Sequence, residues 1–263
     1  MIFVDTHTHL YLEEFDSDRD NVVRNAIHNG VKYCFLPNID SSSVDGMLAL
    51  SDSFPDHCFP MMGLHPTSVK ANYQEELAIA EKHLSSSGKR FYAIGEIGID
   101  LYWSQEFESQ QLSAFSFQLD LAVKYDLPVV IHTRNSFEEA VDIIEKKNVP
   151  AIHGIFHCFG GSLKQAEKVI SLGFKLGIGG IITYKNSGLQ HVVSEIALEH
   201  LVLETDAPFL PPVPYRSQRN ESAYIPVIAQ KIAEIKKIQI EEVAKTTTDN
   251  ALKLFNIKTV STF

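Results

Sequence analysis

The sequence predicts a (β/α)8 barrel, also called a TIM barrel. Three observations predict it: eight short runs rich in β-branched and aromatic residues, segments with helical periodicity between them, and a length of 263 residues. Eight strand-helix units of about 30 residues each fill such a barrel, which typically needs about 250 residues. The predicted strands cover residues 2–4, 32–36, 58–62, 91–94, 128–131, 152–156, 174–178 and 201–203.

These runs are apolar throughout, as expected of parallel strands that are buried on both faces. Helical periodicity predicts helices in residues 16–29, 106–125, 136–147 and 162–172. Residues 239–255 are predicted to form one further helix. The third of these segments opens with Ser136 and has Glu139 three residues later, which predicts a capping box. Strand followed by helix, repeated along the chain, favours a parallel sheet.

We expect one domain over residues 1–263, because no linker or low-complexity segment interrupts the pattern. Residues 207–222 contain four prolines and predict a long loop after the eighth strand, and loops of that length are often functional. The alternative is an open doubly wound sheet, which carries a glycine-rich phosphate loop after its first strand. No such loop follows residues 2–4, and Gly177-Ile178-Gly179-Gly180 fits tight turns at a strand end.

Composition narrows the function classes. Hydrophobic residues make up 44% and charged residues 21%, which is typical of a folded globular protein. The formal net charge of −10 argues against a broad basic surface that coats nucleic acid. Three cysteines without a CxxC pair give no disulfide framework. With no signal peptide and no apolar run long enough for a membrane span, we expect a cytoplasmic protein.

Polar residues with metal-binding side chains follow six of the predicted strands. Function concentrates where strands end in an α/β barrel, so their side chains are expected on one rim. The candidate ligands are His7, His9, Glu96, His132, His157 and Asp206. Six protein groups would overfill one four-coordinate site and therefore predict two divalent ions, with Glu96 as the bridge. Mixed imidazole and carboxylate donors suit Zn²⁺ or Mn²⁺ better than Mg²⁺, which prefers more oxygen, although all three stay open.

Two metals can activate water and stabilise both oxygens of an in-line displacement, so the chemistry implied is hydrolysis. Each histidine alone could be an ordinary core residue. Their coincidence at strand ends favours the ligand interpretation.

These motifs, taken in order, resemble the TatD family of metal-dependent deoxyribonucleases. The resemblance covers essentially the whole chain. It rests on Asp5-Thr6-His7-Thr8-His9-Leu10, Gly63-Leu64-His65-Pro66, Gly95-Glu96-Ile97-Gly98-Ile99-Asp100, Ile131-His132-Thr133-Arg134, His157-Cys158-Phe159-Gly160-Gly161 and Glu204-Thr205-Asp206-Ala207-Pro208.

The resemblance implies a TIM barrel of the metallo-dependent hydrolase type, related to the amidohydrolase superfamily, that acts on DNA ends or damaged DNA. It places the family's metal ligands on the same six residues. It further implies that Asp206 accepts the proton of the attacking water, which makes Asp206 and Glu96 the predicted catalytic residues. His65 is expected to contact substrate. Glu204 is expected to contact the metal ligands without binding a metal ion itself.

The chain departs from the family in the loop after the eighth strand. The family usually has Arg-Gly-Lys-Arg-Asn-Glu-Pro, whereas this chain has Arg216-Ser217-Gln218-Arg219-Asn220-Glu221-Ser222. Arg216 and Arg219 could clamp a phosphate, with Arg134 as a further candidate, or the loop arginines could be solvated surface charge. The missing lysine puts the affinity for nucleic acid in doubt.

Three functions remain at this point. The first is a divalent-metal deoxyribonuclease, most plausibly an exonuclease, with single-stranded DNA ends as substrate. The second is hydrolysis of a small amide, lactone or ester, as in related barrels; many of these bridge their metals with a carboxylated lysine where this chain has Glu96, which favours the nuclease. The third is a non-catalytic metal-binding protein. No feature of the sequence indicates a dedicated protein partner.

Overall fold

The structure, a computed structural model, describes residues 1–257. Strands and helices alternate along this part of the chain. The strands are β1 (Phe3–Asp5), β2 (Val31–Leu36), β3 (Cys58–Pro60), β4 (Ile94–Asp100), β5 (Val129–Arg134), β6 (Gly154–Phe156), β7 (Lys175–Ile178) and β8 (Leu201–Leu203). The α-helices are α1 (Arg19–His28), α2 (Val44–Ser53), α3 (Tyr73–Ser86), α4 (Glu108–Tyr125), α5 (Phe137–Lys147), α6 (Leu163–Ser171), α7 (Leu189–Glu195), α8 (Ile225–Lys236) and α9 (Ile240–Leu254).

All eight predicted strands are present, but two of them, β4 and β5, end at least three residues later than predicted. β4 runs to Asp100 and β5 to Arg134, so the motifs expected beyond these strands lie within them. Gly95 and Gly98 interrupt the apolar run after residue 94, and glycine often weakens the interior of a strand. Every residue of β4 is buried, and its glycines instead allow a close approach to the neighbouring strand.

The predicted capping box at Ser136 is wrong. Ser136 precedes α5, but its hydroxyl donates to the carbonyl of Ile99 and accepts from the amide of Arg134, so it connects β4 to β5. A capping box does begin α6, where the Ser162 hydroxyl accepts from the Gln165 amide and the Gln165 side chain accepts from the Ser162 amide. These two bonds satisfy amides that the helix itself leaves unpaired.

The described residues divide into two compact units, of which the first comprises residues 1–35 and 158–257. In this unit β1 pairs in parallel with β2, and β7 with β8. The amide of Thr6 donates to the carbonyl of Leu203 at 2.9 Å, so the first and last strands lie side by side. This adjacency is typical of the predicted (β/α)8 class and not of an open doubly wound sheet. Helix α9 packs against β1 and β8, and the rings of Phe35 and Phe255 stack at 3.8 Å.

The second unit comprises residues 36–157. Here β4 and β5 pair in parallel with Asp100 opposite Arg134, and β5 pairs in parallel with β6. Met62, two residues after β3, forms a parallel bridge to Ile94 at the start of β4. Helix α4 packs against β4. The prediction that residues 1–263 form one domain stays a prediction.

Residues 207–221 form the predicted long irregular loop after β8, followed by a short 3-10 turn at Ser222–Tyr224. Within residues 1–257, no helix combines the length and the hydropathy that a bilayer crossing requires.

Candidate metal centres

His7, His9 and Asp206 lie together in the first unit, and we call them the His-x-His group. β1 ends at Asp5, so both histidines follow the strand instead of lying in it. The backbone nevertheless stays bonded on both sides: the Thr8 amide donates to the carbonyl of Phe35, and the His9 amide to that of Ala207. The extended path therefore continues beyond β1. It brings the Nε2 atoms of His7 and His9 to 3.2 Å from each other.

Asp206 completes this group. Its Oδ1 lies 3.6 Å from Nε2 of His7 and 3.6 Å from Nε2 of His9. The amide of Asp206 donates to the carbonyl of His7 at 2.9 Å, which fixes the end of β8 against the residues after β1. Asp206 adopts a left-handed backbone with φ of 59°, a conformation that aspartate tolerates better than most residues.

Two further side chains hold the His-x-His group in place. The hydroxyl of Tyr11 lies 2.9 Å from Nδ1 of His9 and so orients that ring with Nε2 toward Asp206. The buried carboxylate of Asp5 accepts from the amide and hydroxyl of Thr205, and from the amide of His7. Burial raises the pKa of Asp5 to about 7 despite these bonds. Asp5 thus joins the ends of β1 and β8, where the candidate ligands lie.

The second unit contains another set of donors, the Glu96 group, formed by Glu96, His65, His132 and His157. Oε1 of Glu96 lies 2.9 Å from Nδ1 of His132, 3.4 Å from Nε2 of His65 and 3.6 Å from Nε2 of His157. Glu96 and His157 are buried, and the side chains of His65 and His132 are 14% and 17% exposed. One carboxylate oxygen therefore faces three imidazoles.

The spacing of the donors in both groups fits a divalent cation. Ligands at about 2.1 Å from an ion lie about 3.4 Å apart when four-coordinate and about 3.0 Å apart when six-coordinate. Distances of 3.2 and 3.6 Å in the His-x-His group, and of 2.9 to 3.6 Å in the Glu96 group, match these values. The imidazole and carboxylate donors suit zinc or manganese.

His132 is bound on both ring nitrogens, because its Nε2 lies 2.9 Å from Oδ2 of the buried Asp100. Burial alone would lower the pKa of His132, but the hydrogen bonds to Asp100 and Glu96 outweigh it and raise the pKa to about 8. Burial would raise the pKa of Asp100, yet the bond from His132 and two backbone amides hold it below its usual value. A carboxylate behind a ligating histidine fixes the ring and increases its basicity.

Helix α4 fixes the backbone that carries this group. Gln111 accepts from the Asp100 amide at 2.8 Å and donates to its carbonyl, and Gln118 does the same for Leu64, beside His65. Both glutamines are buried and seven residues apart, which is two helical turns on one face. Gly98 lies opposite His132, where a Cβ would come within 2.0 Å of the His132 carbonyl oxygen.

The three predicted phosphate-binding arginines differ in their surroundings. Arg134 is exposed and stacks on Tyr102, with its Cζ 3.7 Å from the ring centroid. Arg216 is exposed and stacks on Tyr184 at 4.2 Å. Arg219 donates through both terminal nitrogens to Asp18 and through one of them to the carbonyl of Glu14. Binding of a phosphate by Arg219 stays a prediction, and it would require the ion pair with Asp18 to open.

The loop of residues 216–222, which differs from the family's usual sequence, keeps residues that attach it to the rest of the first unit. Beside Arg219, the side-chain amide of Asn220 donates to the carbonyls of Thr205 and Phe209, and the Glu221 carboxylate accepts from the Asn25 side chain. Ser222, where the family has proline, lies with its hydroxyl 3.3 Å from that of Thr8. Three residues shared with the family, Arg219, Asn220 and Glu221, therefore attach this loop to the first unit.

Sequence reasoning assigned no role to Asp100 or Tyr11. A signal existed for both. Asp100 is four residues after Glu96 in one strand and so shares its face, and Tyr11 continues the alternation of His7 and His9. Glu204, expected to support the ligands, is buried and accepts from the Cys158 amide at 2.6 Å.

Histidine and carboxylate clusters at the strand ends of a parallel α/β fold are typical of metal-dependent hydrolases. The model of the family described as TatD related DNase matches residues 4–256, and the chain belongs to this family. Within that family it is similar to the uncharacterized metal-dependent hydrolase YabD of Bacillus subtilis. The two are 35% identical over 258 residues, which cover 98% of this chain and 100% of YabD.

Solved structures support the same assignment. The crystal structure of YjjV, a TatD homologue from Escherichia coli, matches with a TM-score of 0.91 and 31% identity, covering 97% of this chain and 98% of YjjV. A TatD family hydrolase from Entamoeba histolytica matches with a TM-score of 0.83 at 21% identity over 97% of this chain and 98% of that one, and shows the fold alone. The predicted (β/α)8 fold class and the predicted family are confirmed, and the protein is a metal-dependent hydrolase.

Proposed function

We propose that this protein is a deoxyribonuclease, and specifically an exonuclease that removes nucleotides from single-stranded DNA ends. The observation that carries the proposal is the pair of donor groups, each with the spacing of a divalent ion's ligands. Two ions are the arrangement that stabilises both the attacking and the leaving oxygen of a phosphodiester. The family to which the chain belongs supports DNA as the substrate class.

In this proposal His7, His9 and Asp206 hold one divalent ion, and Glu96, His132 and His157 hold the second. When bound, such ions make water more acidic and stabilise negative charge on a phosphate. Asp206 accepts the proton of the attacking water on its carboxylate, because it is the most exposed ligand of its group, with 15% of its side chain accessible. That Glu96 bridges both ions stays a prediction.

Substrate contacts belong to residues that can donate hydrogen bonds. His65 holds Nδ1 2.7 Å from the Thr67 hydroxyl, which leaves Nε2 on the side of Glu96, where it can donate to a phosphate oxygen. Arg134 and Arg216, both exposed, supply positive charge for substrate phosphates. Arg219 is the weakest of the predicted contacts, because Asp18 already binds its guanidinium.

The test is a cleavage assay with purified protein, Mg²⁺ or Mn²⁺, and single-stranded DNA labelled at either end. The proposal expects single nucleotides as products and complete loss of cleavage in Glu96→Ala and in Asp206→Asn. Parallel purification of these variants controls for a contaminating nuclease. A p-nitrophenyl ester and a dipeptide serve as alternative substrates.

Hydrolysis of the ester or dipeptide without DNA cleavage would contradict the nuclease and support the small-molecule hydrolase. Full activity of Glu96→Ala would contradict the metal assignment. The proposal includes a cytosolic location, supported by three cysteines that offer no disulfide framework.

A further inference from the structure

Two adjacent, exposed aromatic side chains follow β4, separated from its last residue, Asp100, only by Leu101. Tyr102 is 53% and Trp103 69% exposed, and their rings meet edge to face with centroids 5.0 Å apart. Large aromatic rings are normally buried, so an exposed adjacent pair needs an explanation. We propose that Tyr102, Trp103 and Arg134 form a stacking platform for the base of the nucleotide bound next to the Glu96 group.

The platform is fixed to that group by its backbone. Oδ1 of Asp100 accepts from the amides of Tyr102 and Trp103 at 3.0 and 3.3 Å, while its Oδ2 binds His132. One buried carboxylate thus connects both aromatic residues to a metal-ligand histidine. Changes to the two aromatic side chains leave these backbone bonds intact.

Arg134 gives the platform its charge. It lies two residues after His132 in β5 and therefore on the same face of the strand. Its Cζ is 3.7 Å from the Tyr102 centroid and 5.1 Å from the Trp103 centroid. No carboxylate among residues 1–257 forms an ion pair with Arg134, so its charge is available to a phosphate.

A small cavity adjoins Trp103. It is lined by Thr67, Lys70, Asp100 and Trp103, among others, and Lys70 contributes a second exposed cation. Aromatic faces beside positive charge are the combination with which proteins bind single-stranded nucleic acid, because every base has a π face. The ligand class is therefore a nucleoside phosphate, free or as the end of a strand.

The inference rests on the proposed nuclease function but is tested without cleavage. Trp103 is the chain's only tryptophan, so its fluorescence reports on the platform alone. The probes are deoxyadenosine 5′-phosphate and deoxyribose 5-phosphate, which differ only in the base. We expect the nucleotide to quench Trp103 and to bind about 5- to 150-fold more tightly than the sugar phosphate, as one stacked base provides.

Variants separate stacking from charge. Tyr102→Leu and Trp103→Leu should both reduce the affinity for the nucleotide toward that for the sugar phosphate. Fluorescence measures binding to the first variant, and calorimetry measures binding to the second, which has no tryptophan. Trp103→Phe should restore the affinity. Arg134→Ala should weaken both ligands equally. Phe117→Leu, which removes an exposed aromatic ring from α4, is the matched control and should bind as the wild type does. Thermal unfolding of each variant establishes that it is folded.

Equal affinity for the two probes, or saturation by the nucleotide without a change in Trp103 fluorescence, would overturn the platform. If the protein cuts DNA but shows neither the difference in affinity between the two probes nor the change in Trp103 fluorescence, only the platform is wrong. If nucleotides quench Trp103 but DNA is not cut, only the proposed nuclease function is wrong.

Discussion

Asp100 binds His132 on the nitrogen opposite Glu96: Oδ2 of Asp100 lies 2.9 Å from Nε2 of His132, whose Nδ1 lies 2.9 Å from Glu96. The imidazole is held between two carboxylates on the same face of β4. Such outer carboxylates orient a ligating histidine and typically account for 10- to 100-fold in metal affinity. Asp100 is therefore a positioning residue for the Glu96 group.

We expect Asp100→Asn to weaken the binding of one ion by about 10- to 100-fold. The amide oxygen of asparagine can still accept from the Tyr102 and Trp103 amides, so the change removes mainly the charge that faces His132. Competition with a chromogenic chelator measures the affinity. Asp142→Asn, an exposed position on α5, is the control and should bind metal normally. Unchanged affinity in Asp100→Asn would show that Asp100 does not support the ligand.

Glu96→Gln should reduce the number of bound ions per chain, because it removes the negative charge that faces three imidazoles while preserving side-chain size. Elemental analysis after dialysis gives the stoichiometry. Asp206→Asn provides the comparison in the His-x-His group and should lose one ion. If Glu96 bridges, its variant loses more metal than Asp206→Asn does; two tightly held ions in Glu96→Gln would contradict the assignment.

The strand positions and the six candidate ligands could be predicted because their signals are local. Residues 201–203 form an apolar run, and His7 and His9 lie two residues apart, so each pattern fits within one short window. The extent of β4 was not predictable in the same way. Gly98 breaks the apolar pattern, and only the approach of the His132 carbonyl explains why glycine belongs within a strand.

Interactions between distant parts of the chain were also beyond local patterns. Arg219 and Asp18 are 201 residues apart in sequence, so no motif indicates that a predicted phosphate ligand has a carboxylate partner. The same holds for Ser136, whose hydroxyl binds Ile99 instead of capping its own helix. When a side chain could play either of two roles, only its contacts in the folded protein decide between them.

The Asp18–Arg219 ion pair should make stability depend on pH. Its bond to Arg219 holds the pKa of Asp18 below the usual value of 3.8, so the stabilisation is present above about pH 4 and is lost as the pH falls through the lowered pKa. We expect Asp18→Asn to reduce the free energy of unfolding by about 0.2–1 kcal/mol at pH 7, since both side chains are partly exposed.

Urea unfolding at pH 7, 5 and about 3.5 measures this difference, which should narrow at the lowest pH. Asp249→Asn disrupts the more exposed pair with Lys245 on α9 and should cost less. A difference that stays constant across the three pH values would rule out the ion pair as its source.

Gln218 occupies the position where the family usually has lysine, and it offers a direct test of the altered loop. It is exposed, with its side chain 3.2 Å from the Tyr224 hydroxyl, so a lysine can replace it without burying charge. If the loop contacts the DNA backbone, Gln218→Lys should tighten binding. The slope of log K against log salt concentration should then become steeper by about 0.7, the contribution of one phosphate in a single strand.

Binding of labelled single-stranded DNA at several salt concentrations gives this slope. Gln74→Lys adds the same charge at an exposed position on α3, and it should leave the slope unchanged. Equal slopes for both variants would show that the added charge acts only through the net charge of the protein, and that this loop does not contact DNA.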